Sequence, residues 1–258
     1  MFRLALLLTV VAFAAEARET FILVGQSNMA GRGDLLQVRP YPNAARVFAY
    51  AQDGRWVNPV RDPLPVTTTL SGLPWLETAP PLKVGPGASF ADRLAALRPT
   101  AEIGLVQCAL AGYGIEFWVK DYRRTTLYGS CIERARDAAQ SSIIRGIVIF
   151  NGESDANPDK VSLYPSRMAR LIADLRDDLG PDLPVVLTQI GPEPHGNPNF
   201  TSWGTMQSLQ AEMVVPNGSM VSAMDLEADR PGSPHLNTAS YIALGRRYAE
   251  AMNKFLSR

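Results

Sequence analysis

Ser27 has the sequence surroundings of a catalytic nucleophile. It lies in the segment GQSNMAG at 25–31, directly after the apolar run Phe21–Val24. A buried strand that ends at a glycine lets the backbone turn sharply. A serine hydroxyl can then project from the carboxyl end of the strand, where open α/β sheets build their sites. Ser27 attacks a substrate only if a base accepts its proton and donors stabilise the oxyanion, so these partners must come from elsewhere in the chain.

Two residues are candidates for the general base, because the chain contains only two histidines, His195 and His235. Histidine accepts a proton near neutral pH without a large pKa shift. His235 is followed by Leu236 and then by a long amphipathic pattern from Ala239, which predicts a loop position just before the last helix. His195 lies in another loop, and a lone loop histidine is usually solvated. We therefore predict His235 as the base.

Polar or glycine-rich segments follow several predicted strands, which favours one shared site. These segments are GQSN at 25–28, CALAGYG at 108–114, NGESD at 151–155 and the later loop SPH at 233–235. A glycine allows close backbone approach, so the Gly112 amide is predicted to join the Ser27 amide in an oxyanion hole.

Five segments together resemble the SGNH hydrolases. They are GQSNMAGRGD at 25–34, VGPGASFA at 84–91, CALAGYGIEFW at 108–118, NGESDA at 151–156 and HL at 235–236. Their order and content are similar to carbohydrate esterase family 6, the acetylxylan-esterase and sialate-O-acetylesterase-like group. The first segment is the most specific, and the others are persuasive jointly.

The resemblance implies a metal-independent serine esterase that removes acetyl groups from carbohydrate. Ser27 would be the nucleophile and His235 the base, and the Ser27 and Gly112 amides would hold the oxyanion. A side-chain amide from the fourth segment would assist. The family usually has glutamine at that position, and here Asn151 keeps the carboxamide donor on a side chain one methylene shorter. Gln26 is a further residue that could orient the site or contact the substrate.

The triad acid is the main departure from the family pattern, which places an aspartate where this chain has Gly232. The carboxylates upstream of His235 are Asp225, Glu227 and Asp229. Asp229 is the nearest and is our prediction for the acid. Glu153 is a second source of orientation, and a backbone carbonyl can also orient a histidine.

Several neighbouring residues have a structural explanation that we prefer. Asp155 is expected to bind loop amides. Trp75 and Trp118 could stack on a sugar ring, but aromatic side chains more often pack in a core or at a rim. Arg32 and Asp34 are expected to form surface ion pairs.

The predicted elements form a three-layer α/β/α domain of the flavodoxin-like, doubly wound class. Apolar runs without polar alternation predict about five buried parallel strands, at 20–24, 103–107, 146–150, 185–190 and 219–224. Helical spacing is clearest at 163–179, where Pro165 suits a first turn. Prolines between about 39 and 86 exclude a long helix or a central strand there, so this segment is predicted to be an irregular insertion.

Length and charge narrow the class of protein. The 258 residues, 46% of them hydrophobic, fit a single domain at 19–258 behind a leader. Lys and Arg together number 25, as do Asp and Glu, so no net field favours nucleic acid. A neutral substrate, such as an acetylated carbohydrate or a small acetyl ester, fits this balance. No cofactor or metal is predicted, because ligand spacings and phosphate-binding motifs are missing from the sequence.

Residues 1–18 resemble a secretory signal peptide. Met1-Phe2-Arg3 precede an apolar run from Leu4 to Ala15, which is shorter than the roughly 20 residues that span a bilayer. We expect cleavage before Glu19 and a secreted or periplasmic protein without a membrane span. Export would permit a Cys108–Cys131 disulfide, and two buried free thiols are the equal alternative.

The sequence therefore predicts a secreted carbohydrate acetylesterase with a Ser27–His235 acyl-enzyme mechanism. A catalytically weak carbohydrate-binding protein on the same fold is the first alternative, and the missing aspartate at Gly232 motivates it. A broad, lipase-like esterase that accepts longer acyl chains is the second.

Overall fold

A seven-stranded sheet forms the centre of the protein in the computed structural model, which describes residues 17–58 and 83–257. The strands are β1 (Arg18–Gly25), β2 (Val47–Tyr50), β3 (Trp56–Val57), β4 (Ile103–Gln107), β5 (Ser142–Phe150), β6 (Val185–Gln189) and β7 (Gly218–Ser222). Their order is β3-β2-β4-β1-β5-β6-β7. Only the β2–β3 pair is antiparallel, so the sheet is almost entirely parallel.

Helices complete the layers around this sheet. They are α1 (Ser27–Ala30), α2 (Pro86–Leu97), α3 (Leu127–Ala138), α4 (Tyr164–Leu179), α5 (Trp203–Glu212) and α6 (Thr238–Leu256). α2 packs along α6, and α3 packs on α4. The α/β prediction is confirmed, as is the predicted helix at 163–179, which is α4 with Pro165 in its first turn.

β1 occupies the position at which the chain changes direction across the sheet. It pairs with β4 on one side and with β5 on the other. The chain first builds β2 to β4 on one side of β1 and then β5 to β7 on the other. The crevice at the carboxyl end of β1 is therefore the topological switch point, where open α/β sheets bind their ligands.

The five predicted strands are all present, but the prediction of about five strands was too low. β2 and β3 lie in the segment 39–86 that was predicted to be irregular. The prolines there exclude a long strand, yet the four residues of β2 fit between Pro42 and Pro59. Pro86 begins α2, a position that suits proline. Residues 59–82 lie outside the described parts of the chain.

α2 and α6 approach each other closely at Gly245. A methyl group there would lie 2.1 Å from Ser89 Oγ and 2.3 Å from the Pro86 carbonyl oxygen. Such distances are far inside van der Waals contact, so only glycine fits. This contact matters for the site because α6 begins three residues after His235.

Cys108 and Cys131 form a disulfide, which answers the question that the sequence left open. Cys108 follows β4 directly, Cys131 lies in α3, and both are completely buried. The two cysteines are 23 positions apart, and closing a loop of that size stabilises a fold by about 3 kcal/mol in the chain-entropy account. The bridge fastens the start of the glycine-rich segment 108–114 to α3.

The expected leader lies mostly outside the described residues, because residues 1–16 are not among them. Arg18 is the first residue of β1, and its guanidinium donates to Glu102 Oε2 at 3.0 Å. The predicted cleavage before Glu19 would therefore fall one residue inside a strand. Within 17–58 and 83–257, none of the helices has the length and apolar character needed to cross a membrane.

Candidate active site

Ser27 lies at the carboxyl end of β1, as the first residue of the short helix α1. The turn between them depends on Gly25, which has a φ of +153°, and a methyl group there would lie 2.1 Å from the Phe150 carbonyl oxygen. Only glycine allows β1 to approach β5 so closely and still turn. Ser27 is buried, with 8% of its surface exposed.

His235 lies in the loop between β7 and α6 and meets Ser27 across 208 positions of sequence. Its Nε2 is 3.0 Å from Ser27 Oγ, which is the distance required for proton transfer between a nucleophile and its base. The loop is fixed by its own hydrogen bonds: the His235 amide donates to Ser233 Oγ, and the His235 carbonyl accepts from the Asp229 amide. Asn237 then caps α6 through the Ser240 amide.

The surroundings of His235 keep its imidazole neutral. Burial lowers the pKa of His235 below 6.5, and the positive charges of Arg32 and Arg230 lower it further. The negative charge of Asp229 acts in the opposite direction. A histidine with a lowered pKa is unprotonated at neutral pH, which is the state that can accept the serine proton.

Asp229, the predicted triad acid, does not hydrogen bond to the imidazole. Its carboxylate accepts from Arg230 at 3.2 Å, and within 17–58 and 83–257 His235 Nδ1 makes no hydrogen bond to a protein group. Gly232, at the position of the family's aspartate, has a φ of +71°. That left-handed conformation is strained for most side chains, which is a physical reason for glycine there.

The two predicted oxyanion donors are the amides of Ser27 and Gly112. Neither amide hydrogen bonds to another group in the described parts of the chain. Gly112 has a φ of +83°, and a methyl group built on it would meet no atom within 4 Å. A side chain at this position would therefore extend into open space in the segment that follows β4.

Asn151 links this segment to the nucleophile rather than standing free. Its Nδ2 donates to Gln26 Oε1 and to the Tyr113 carbonyl oxygen, both at 3.3 Å, while its buried Oδ1 has no partner in the part of the chain that the structure describes. Both donated bonds are long. To donate to an oxyanion, Asn151 would have to exchange one of them. Gln26, the residue before Ser27, is buried, and its side chain accepts the hydrogen bond from Asn151.

Glu153 and Asp155 are both buried acids, but they do different things. Glu153 Oε1 accepts a 2.5 Å hydrogen bond from Asn28 Nδ2, and burial raises the pKa of Glu153 to about 7. Its other oxygen has no partner among the described residues. Asp155 accepts from the Ile115 amide at 3.0 Å, as the loop-amide interpretation predicted, and burial raises its pKa as well. Neither acid reaches His235 with a hydrogen bond.

Asn28 is the residue that the sequence analysis missed. Its side chain is 1% exposed and hydrogen bonds to Glu153, to the peptide groups on both sides of His235 and to Tyr241. The only signal in the sequence was its position next to Ser27. Its partners lie 125 to 213 positions away, so no local pattern could reveal them.

The core packing expected for Trp118 and the solvent exposure expected for His195 are confirmed, whereas the ion pairs expected for Arg32 and Asp34 are not. Trp118 is 2% exposed and packs in the core, and Trp75 lies outside the described residues. His195 is exposed and lies 3.8 Å from Glu193. The expected ion pairs of Arg32 and Asp34 are not formed with any described residue: Arg32 donates to the Gly31 carbonyl, and Asp34 caps the following turn.

No group of three or more histidine, cysteine, aspartate or glutamate side chains could hold a metal ion within 17–58 and 83–257. The chemistry available at the carboxyl end of β1 is that of a buried serine beside a histidine with a lowered pKa, and the Ser27 amide makes no hydrogen bond to a described residue.

Comparison with known proteins points in the same direction. A family model described as carbohydrate esterase, sialic acid-specific acetylesterase, matches residues 17–254. A probable carbohydrate esterase from Arabidopsis thaliana is 29% identical over 252 residues, covering 90% of this chain and 89% of that one.

Solved structures share the fold. The X-ray structure of an Arabidopsis thaliana protein has a TM-score of 0.77 at 27% identity, covering 94% of this chain and 99% of that one. The crystal structure of NanS has a TM-score of 0.68 at 16% identity, covering 95% of this chain and 99% of that one. A carbohydrate acetylesterase from Xanthomonas citri gives 0.64 at 20% identity, covering 90% of this chain and 55% of that one. At these lower identities, the last two similarities concern the fold.

The parallel sheet, its flanking helices and its neighbours define an SGNH-type hydrolase fold. The family match spans nearly the whole chain, and the chain belongs to the carbohydrate esterases described as sialic acid-specific acetylesterases. It is therefore a carboxylic ester hydrolase, and the predicted family resemblance is confirmed.

Proposed function

We propose that this carbohydrate esterase is an exported serine acetylesterase that releases O-acetyl groups from sugars through a Ser27 acyl-enzyme. The observation that carries the proposal is the 3.0 Å contact between Ser27 Oγ and His235 Nε2 at the switch point of the sheet. Two further observations support it: the lowered pKa of the His235 imidazole, and the Gly112 amide, which makes no hydrogen bond to a described residue.

The reaction proceeds in two acyl transfers. Ser27 Oγ bonds to the acetyl carbon while its proton passes to His235 Nε2, and the amides of Ser27 and Gly112 bind the oxyanion. The ester C–O bond then breaks, and the imidazolium returns the proton to the departing sugar hydroxyl. In the second step water attacks the acyl carbon and His235 takes one of its protons. The bond between Ser27 Oγ and the acyl carbon then breaks as the imidazolium returns that proton to Ser27 Oγ, and acetic acid leaves and ionises to acetate.

An aromatic pair supports a sugar as the alcohol part of the ester. Tyr113 follows Gly112 directly, and its ring lies edge to face with Phe117 at a centroid distance of 4.9 Å. Phe117 is 49% exposed, whereas its neighbour Trp118 is buried. An exposed aromatic face beside an acyl site offers a stacking surface for the apolar face of a sugar ring.

Export is proposed on the leader-like N-terminus and on the Cys108–Cys131 bridge. Disulfides persist in secreted and periplasmic proteins and are rare in the reducing cytosol. Detection of the mature protein in periplasmic and culture fractions, with its N-terminus sequenced, tests this part.

The test of the enzymatic proposal is acetate release from three substrates: acetylated xylan, O-acetylated sialic acid and an aryl acetate. Wild type is compared with Ser27→Ala and with Ser208→Ala. Ser208 is a matched control because it is an exposed serine in α5, whose hydroxyl donates to the Gly204 carbonyl oxygen and to no other described residue. We expect release that disappears in Ser27→Ala and persists in Ser208→Ala. Release that survives in folded Ser27→Ala would refute the proposal. The substrate that is hydrolysed best identifies the class of ester.

A catalytically weak carbohydrate-binding protein remains the second candidate, because Gly232 replaces the family's aspartate and Asp229 does not contact the imidazole. A serine-directed phosphonate separates the two. Labelling of Ser27 supports the esterase, whereas intact Ser27 together with sugar binding supports the binding protein. Turnover of aryl esters of increasing chain length tests the lipase-like alternative.

A further inference from the structure

The Asn28 carboxamide uses its full hydrogen-bonding capacity. Nδ2 donates to Glu153 Oε1 at 2.5 Å and to the Pro234 carbonyl oxygen at 2.9 Å. Oδ1 accepts from the Leu236 amide at 3.3 Å and from the Tyr241 hydroxyl at 2.5 Å. A carboxamide has two N–H donors and two acceptor lone pairs, and all four are engaged here. The Pro234 carbonyl can only accept and the Leu236 amide can only donate, so the orientation of the carboxamide is fixed.

Two of these bonds hold the backbone on either side of His235. One goes to the residue before it and one to the residue after it, so the peptide units that carry the imidazole are tied to a single side chain. Asn28 itself follows Ser27 in α1. Asn28 therefore links the nucleophile directly to the backbone that carries the base, in addition to the hydrogen bonds within the His235 loop.

The other two bonds hold the carboxamide in place. Glu153 approaches from the end of β5 and Tyr241 from the first turns of α6, and both are buried. The charged groups that face the imidazole are Arg32, Asp229 and Arg230, and none of them hydrogen bonds to it. In the described residues, the fixed geometry of the base thus comes from backbone restraint rather than from an acid on Nδ1.

We propose that Asn28 is a positioning residue of this esterase, whose carboxamide holds the peptide units flanking His235 and thereby supplies the orientation that a triad acid would give. The proposal rests on the function proposed above. A misplacement of about 1 Å in a catalytic group can cost about 10²-fold in rate, and this sets the expected size of the effect.

The test measures kcat, KM and the pH profile of kcat/KM on an aryl acetate for Asn28→Ala and Asn28→Asp. Asn28→Ala removes both backbone contacts, so kcat should fall about 10²-fold while KM stays within about threefold. The acid limb of the profile should move up towards the ordinary histidine value of about 6.5, because a released imidazole is less buried.

Asn28→Asp preserves the shape and the acceptor for the Leu236 amide but loses the donor to Pro234. It should lose kcat as well, and more at alkaline pH, where the new carboxylate and Glu153 are both ionised. Asn217→Asp is the matched control: Nδ2 of Asn217 donates to the Asp182 carbonyl at the opposite edge of the sheet, and its loss should leave kcat unchanged. Tyr241→Phe removes the hydrogen bond that the Tyr241 hydroxyl donates to Asn28 Oδ1, and it should lower kcat less than Asn28→Ala does.

Thermal unfolding and phosphonate labelling accompany each variant. If Asn28→Ala fails to fold, Asn28→Asp decides the question. A folded variant of either kind with wild-type kcat and a wild-type acid limb overturns the proposal. The Ser27→Ala variant distinguishes this failure from a failure of the proposed function. If Ser27→Ala is active, the enzyme mechanism itself is refuted. If Ser27→Ala is inactive and Asn28→Ala is fully active, only the positioning role is refuted.

Discussion

Glu153→Gln should remove a large part of the pH dependence of stability. Burial raises the pKa of Glu153 from 4.5 to about 7, so between these values the folded protein keeps a proton that the unfolded chain releases. The folded state then binds more protons than the unfolded state, and stability falls as pH rises through this window. The slope is at most about 1.4 kcal/mol per pH unit, which gives about 3 kcal/mol in all.

Glutamine has the same shape and can still accept from Asn28, but it does not titrate. Urea unfolding at pH 5 and pH 7.5 gives the loss of unfolding free energy for wild type, Glu153→Gln and the control Glu212→Gln, whose carboxyl is exposed at the end of α5. Between these two pH values we expect the loss to be smaller by about 2 kcal/mol in Glu153→Gln alone, because the unfolded chain has already released part of its proton at pH 5. An equal loss in wild type and Glu153→Gln would mean that Glu153 is ionised throughout, and the argument from burial would be wrong.

Three further changes test the packing and the site. Gly245→Ala should destabilise the protein by about 1–3 kcal/mol, because its methyl group would overlap Ser89 and Pro86. The control Gly204→Ala in α5 places a methyl group where no atom lies within 4 Å, and it should stabilise the protein by up to about 1 kcal/mol. Thermal or urea unfolding measures the change in unfolding free energy for both variants. Gly112→Pro removes the amide and cannot adopt a φ of +83°, so kcat should fall about 10²–10³-fold, and near-normal turnover in folded protein would exclude the oxyanion role. Phe117→Ala should raise KM for acetylated carbohydrate and leave turnover of the aryl acetate unchanged, and equal effects on both substrates would contradict a sugar-stacking role.

The sequence predicted the parts of the fold that depend on burial alone. β1, β4, β5 and β6 contain apolar runs because their centres are buried, and such runs are visible without a structure. β7 is a half-buried edge strand, and its pattern is weaker. β2 escaped prediction because four residues among prolines carry too little pattern. Its place in the sheet comes from pairing with β4, which is a tertiary contact.

The residues of the candidate site also differ in how far the sequence predicts them. Ser27 and His235 could be predicted because each is chemically distinctive or scarce, and the structure brings them together. The partner of the imidazole could not be predicted, since it depends on the path of the loop. Asp229 is near enough to influence the pKa of His235 but does not bond to it. The sequence showed Asn28 only as part of the segment GQSNMAG, and its hydrogen bonds to distant residues became evident only in the structure.

The 208 positions between Ser27 and His235 make esterase activity a measure of complete folding. Contacts between distant parts of a chain form late, because a long loop must close before they stabilise anything. A refolding chain can recover its helices while α6 is still undocked, and His235 would then be far from the nucleophile. In a refolding experiment we therefore expect the far-ultraviolet signal of secondary structure to return first and ester hydrolysis to return with the slowest phase.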